Sequence, residues 1–122
     1  MAKSETYTQQ MLTIEIAEGD DTINAVWRGK SIDREPAKFI TPILTQMVKT
    51  SSSTQKRVIL DFRELAYMNF STITPIIKIL ERAKRGSTSI TVLYDKSLKW
   101  QDLIFSALTI FITKDKRVEI KG

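Results

Sequence analysis

Asn69, Ser71 and Thr72 are the side chains in this sequence whose types and spacing best suit chemistry. They lie just ahead of an apolar-periodic stretch, with Met68 and Phe70 between and beside them. Hydroxyls in that setting can accept a phosphoryl group, or they can cap a helix by accepting its free N–H groups. Little else in the chain is reactive. It contains neither histidine nor cysteine, so no Ser-His-Asp or Cys-His nucleophile system can be assembled. A zinc site would rest on carboxylates alone, which is rare, so no metal and no cofactor is expected. Fourteen Asp and Glu keep paired-carboxylate hydrolysis formally open, but only Asp20 and Asp21 are adjacent, and they read as a turn. No catalytic residue is expected, and the chain reads as a non-enzyme.

The elements that must hold these residues are a strand and a helix. Val58, Ile59 and Leu60, ending at Asp61, read as a short buried strand followed by a polar connection. Ile73, Ile76, Ile77, Leu80 and Ala83 recur at three- and four-residue steps and predict one apolar helical face. With Ser71 or Thr72 as the cap, Pro75 falls in the first turn, where its missing N–H costs little. Gly86 follows the cations Arg82, Lys84 and Arg85 and is the expected stop, in a left-handed cap.

Residues 1–10 are polar and are expected to be a flexible N-terminus, leaving 11–122 as one domain. Leu12, Ile14 and Ile16 alternate with polar residues, as do Ile23, Ala25 and Trp27, and turn chemistry at 18–21 joins the two runs into a β-hairpin. Asp33 is the expected cap of a helix with Glu35 and Pro36 in its first turn and Phe39, Ile40, Ile43, Leu44, Met47 and Val48 buried. Pro42 inside that pattern predicts a kink or a late start. The hydroxyl-rich 50–54 segment reads as a mobile loop. Ile90, Val92 and Tyr94 read as a further strand, and Ser97 is expected to cap a helix carrying Leu98, Leu103, Ile104 and the pair Ala107 and Leu108, with Trp100 at the core edge. Residues 109–112 are ambiguous between helix end and strand, and Val118 to Ile120 suggest a last short strand. Strands alternating with helices predict an α/β domain, a mixed sheet with helices packed on it.

Apolar content of 42% and charged content of 27% are those of a globular protein. The N-terminal decapeptide has no apolar export core, and the longest apolar run, 103–112, is too short to span a bilayer. A cytoplasmic location is the expectation. The net charge of +5 invites a nucleic-acid reading. Against it, the basic residues are dispersed from Lys3 to Lys121 without an aromatic recognition pattern, so a solvated basic surface is favoured.

The order of elements resembles the STAS fold (sulfate transporter and anti-sigma factor antagonist). In that family a buried strand ends in an acidic residue and a Met-Asp-Ser-Ser-Gly-Leu motif starts the next helix. Here Leu60 and Asp61 are followed by LAYMNFSTI at 65–73, which lines up with that pattern without a gap. A closer likeness is to the SiaC-type regulatory phosphoproteins, a STAS-like branch. Their first helix is approached through Gly-x-Ser-Tyr-Pro-Glu-Asn-Pro-x-x-Phe-Phe-x-Pro, matched by GKSIDREPAKFITP at 29–42, and their switch segment by LDF at 60–62 and YMNFST at 67–72. The likeness covers roughly residues 12–108.

It implies a bacterial signal-transduction protein of the partner-switching type. A protein kinase and phosphatase pair would modify a hydroxyl at the start of the helix. The unmodified form would bind a regulated target, either a kinase or anti-sigma factor or a diguanylate cyclase. The position aligned with the family's phosphorylated residue is Phe70, which cannot accept a phosphate. Ser71, then Thr72, are therefore the phosphoacceptor candidates, and a constitutive binder with Phe70 as its anchor is the other reading. Met68, Asn69, Phe70, Ser71 and Thr72 would make the partner contact, flanked by Lys78 and Arg82, with a free edge strand open to a second copy. Two other readings are an accessory STAS-like subunit of a membrane transport complex and a basic nucleic-acid-binding domain.

Overall fold

The computed structural model describes residues 3–122. The flexible N-terminus expected at 1–10 is overturned for residues 3–9, which form β1 (Lys3–Gln9) antiparallel to β2 (Leu12–Glu18). Residues 1 and 2 lie outside the described residues. The strand escapes a hydropathy reading because its side chains are mostly solvated, while its backbone is held along the edge of β2 and Tyr7 packs on the core. The expected hairpin follows, β2 pairing antiparallel with β3 (Thr22–Ser31).

Three helices and four strands then build the parallel part: α1 (Ala37–Thr54), β4 (Arg57–Asp61), β5 (Leu65–Met68), α2 (Phe70–Arg85), β6 (Ile90–Leu93), α3 (Lys99–Ala107), a 3-10 turn (Leu108–Phe111) and β7 (Val118–Lys121). The seven-stranded sheet runs β1-β2-β3-β4-β6-β7. β3 is long enough to serve two parallel neighbours, residues 22–26 with β4 and residues 29–31 with β5. The change of partner occurs at Gly29, where φ is +88° and a Cβ would lie 2.1 Å from the Met11 carbonyl oxygen. Glycine is required there on both counts.

Ile14, Ile23, Ala25, Trp27, Val58, Leu60, Ile90 and Val92 point to the buried face of the sheet. Trp27, Phe62, Phe105 and Tyr94 continue that core as a chain of rings with centroids 4.8, 4.9 and 5.4 Å apart. Each such pair contributes about 0.5–1.5 kcal/mol beyond its burial. The opposite sheet face is half-exposed and internally neutralised, as where Arg28 meets Glu15 at 2.9 Å and Glu64 at 3.1 Å.

Several helix limits differ from the expected ones, each for a local reason. Asp33 is not the cap of α1. Its Oδ1 accepts the Glu35 N–H in a turn, and the helix begins late, after Pro36, whose carbonyl receives the first helical bond. Pro42 is the sixth helical residue, on the exposed side. The 50–54 segment is no loop. It is the end of α1, where Ser51 is buried with its hydroxyl donating to the Lys56 carbonyl at 2.5 Å, and Thr54 bonds back to Thr50.

In α2 the cap is Asn69, so Pro75 is the sixth residue, outside the first turn, and is buried. The buried face is Ile76, Ile79, Leu80 and Ala83, with Ile73 and Ile77 only partly covered. Gly86 does end the helix, but at φ −106°, not in a left-handed cap. Ser97 does not cap α3. Its N–H and hydroxyl both donate to Asp95 Oδ1. The buried residues there are Gln101, Phe105 and Leu108, whereas Leu103 is 76% exposed and Ala107 is also outside.

Candidate functional site

The 68–72 corner is built by three elements meeting: the end of β3, the end of β5 and the start of α2. Asn69 caps α2 with its side-chain Oδ1, which accepts the Thr72 N–H at 3.1 Å and the Thr72 hydroxyl at 2.7 Å. Its Nδ2 donates to the Asp33 carbonyl at 2.8 Å, and its own N–H donates to Ser31. Thr72 has one hydroxyl proton, already given to Asn69. Ser31, 2.6 Å away, must therefore donate to Thr72 Oγ1.

This buried relay locks the corner. Replacing Asn69 by alanine removes the cap and leaves buried partners unsatisfied. A loss of about 2 kcal/mol in urea unfolding is expected, against a few tenths for an exposed neighbour such as Thr74.

The structure divides the expected site residues. Phe70, the first residue of α2, is 89% exposed, and Ser71 beside it is exposed too. Thr72 is fully buried within the relay, and Met68 is buried beneath the corner with only its edge reaching the surface. Lys78 and Arg82 are exposed on another side of α2, where they line a groove of about 110 Å³ with Thr41 and Thr45 of α1. They do not adjoin Phe70.

What does adjoin Phe70 is a depression of about 220 Å³ lined by Tyr67, Ile73, Trp100 and Ile104, with Met68 at its floor. Tyr67, Ile104 and the neighbouring Leu103 were missing from the expected site. Tyr67 lies in what reads as a connection, and Leu103 and Ile104 read only as apolar residues of a helix. The signal that could have found them is the excess of apolar positions on a nine-residue helix, more than one face can bury.

Two polar fixtures hold this surface in place. Gln101 is fully buried. Its Nε2 donates to the carbonyls of Phe62 at 2.6 Å and Leu65 at 2.9 Å, and its Oε1 accepts the Asp95 N–H at 2.8 Å. It thereby ties α3 to the start of β5. Asp61, ending β4, takes a two-pronged bond from the Arg63 guanidinium at 2.9 and 2.8 Å. Burial pushes its pKa up, but the bonds from Arg63 and the charge of Arg28 outweigh that and hold it below the usual carboxylate range. The carboxylate is a structural anchor for the turn into β5. Among the described residues no cluster of three or more carboxylates could hold a metal ion, and no helix is long and apolar enough to cross a membrane.

No family profile matches the chain, and no curated protein matches it in sequence. Among solved structures it is similar to SiaC of Pseudomonas aeruginosa, with a TM-score of 0.57 and 15% identity over 80% of this chain and 84% of that one. The seven-stranded mixed sheet with its N-terminal hairpin and three helices thus has a SiaC-like fold.

Proposed function

We propose that this chain is a non-catalytic signalling protein that acts by being bound, with Phe70 as the central anchor of the contact. The carrying observation is the near-complete exposure of that ring on the first turn of a rigidly capped helix, beside an apolar depression. A large aromatic side chain held in solvent by a buried hydrogen-bond relay has no role in the chain's own core. It has the attributes of an interface hot spot, a rigid aromatic next to a pocket. The resemblance to partner-switching proteins supports the same corner. The partner on that reading is a protein of a signalling pathway, a kinase or anti-sigma factor or a diguanylate cyclase. The outer edge of β1 leaves room for a second copy to pair. Capture of partners from cell extract on the wild-type protein and on Phe70→Asp tests the reading. Equal recovery on both would remove this corner from it.

Control by phosphorylation falls to Ser71, since the buried relay withholds Thr72 from a kinase. Ser71 is exposed, the second residue of α2, and α2 has no acidic residue in its first turn. A phosphate there gains from the helix N-terminus while placing about −1.5 to −2 charges next to the apolar contact. The helix would stay folded and the partner would leave. Incubation with kinase-active lysate should add one phosphate, and Ser71→Ala should abolish the mass shift. Modification persisting in that variant would point away from Ser71.

A further inference from the structure

The basic residues, dispersed in sequence, converge in space. The last two turns of α2 and the turn before β7 are pinned together. Lys84 Nζ donates to the Ile110 carbonyl at 2.9 Å, and Arg117 donates to the carbonyls of Ala83 and, at 3.2 Å, Lys84. Residues 78–85 and 114–117 together carry seven basic side chains and two acidic ones, a local excess equal to the whole chain's net +5. The rest of the surface is therefore neutral on balance. Arg117 is used internally and Lys78 and Arg82 line the groove against α1, but Lys84, Arg85, Lys114 and Lys116 are exposed, and none of these four is in an ion pair among the described residues. Between the two basic segments the chain exposes Ile110 at 70% and Ile112 at 42%.

We infer that this end of the molecule is a docking surface for an anionic lipid bilayer. A protein interface would be expected to centre on a pocket with an aromatic or arginine anchor. A single-stranded nucleic acid would need exposed rings for stacking. Here the ring available, Phe111, is half-buried, and the exposed groups are two aliphatic side chains on the segment that joins the two cationic stretches. That combination needs no shape match. The aliphatic groups enter the acyl boundary while lysines and arginines sit among acidic headgroups. α2 is 16 residues, about 24 Å long. The bilayer would meet its C-terminal end and leave Phe70, at its N-terminal end, free.

The test is co-sedimentation of the full chain with vesicles of phosphatidylcholine alone and with about one-third phosphatidylglycerol added. Binding is expected only to the anionic vesicles, weakening as salt is raised. Lys84→Glu with Arg85→Glu should lower the partition coefficient about tenfold or more, and Ile110→Ser with Ile112→Ser should lower it with the charge unchanged. Circular dichroism checks that each variant is folded. Absence of binding to anionic vesicles overturns the inference, as does binding to neutral vesicles that the charge reversals leave unchanged. Retention on duplex DNA without vesicle binding would assign the patch to nucleic acid instead.

Discussion

Replacing Phe70 by aspartate is expected to weaken binding of the captured partner by about 2–4 kcal/mol, roughly 30- to 1,000-fold, the range of a central aromatic hot spot. Stability should not follow. The ring is 89% exposed, so its removal forfeits little internal packing. A carboxylate at the first position of α2 would also favour the helix by about 0.3–1 kcal/mol, because the N-terminus carries partial positive charge. The two effects have opposite signs, which makes the experiment sharp. Titration calorimetry should show the loss of affinity, while the urea midpoint stays level or rises slightly. A matching fall in both would mean that Phe70 serves the fold. Unchanged affinity would mean that the partner docks elsewhere.

The sequence shows this corner partly, and the limits are physical. The strand ending at Asp61, the helix entry near Asn69 and the apolar face of α2 are legible because each follows a local rule: alternation, capping chemistry, helical spacing. Which hydroxyl is reachable is not local. Thr72 is withdrawn by Ser31, 41 residues away in sequence, and no pattern around either residue announces that pair. β1 and β5 escape for a related reason. Their membership of the sheet is written in backbone pairing with β2 and β3, and hydropathy does not record a ladder. The cationic end of α2 is likewise hidden, since residues 78–85 and 114–117 become neighbours only once Arg117 reaches the carbonyls of α2's last turn.

Helix α3 inverts what hydropathy suggests, and that inversion carries the second large effect. Gln101→Leu would ordinarily be read as an improvement, an apolar residue entering an apolar core. It is expected to destabilise the protein by about 2 kcal/mol or more, because the Leu65 carbonyl and the Asp95 N–H would lose their bonds to Gln101 at about 1–3 kcal/mol each, while the Phe62 carbonyl would keep only the Leu65 N–H. The added apolar burial returns only about 1–2 kcal/mol of that. Leu103→Gln on the same helix exchanges the same two residue types in the opposite sense. At 76% exposure it should change stability by less than about 0.5 kcal/mol. Urea denaturation of both variants decides the matter. A small effect at Gln101, or a large one at Leu103, would refute the assignment of faces.

The consequence reaches the proposed binding surface. Gln101 joins α3 to the carbonyl of Leu65, the first residue of β5, and so sets Trp100 and Ile104 against Tyr67. Partner affinity should therefore fall in Gln101→Leu even at temperatures where the variant remains folded. Leu103→Gln should lower affinity only if the partner's footprint extends past Ile104. Comparing the two separates the clamp that shapes the depression from the rim that surrounds it.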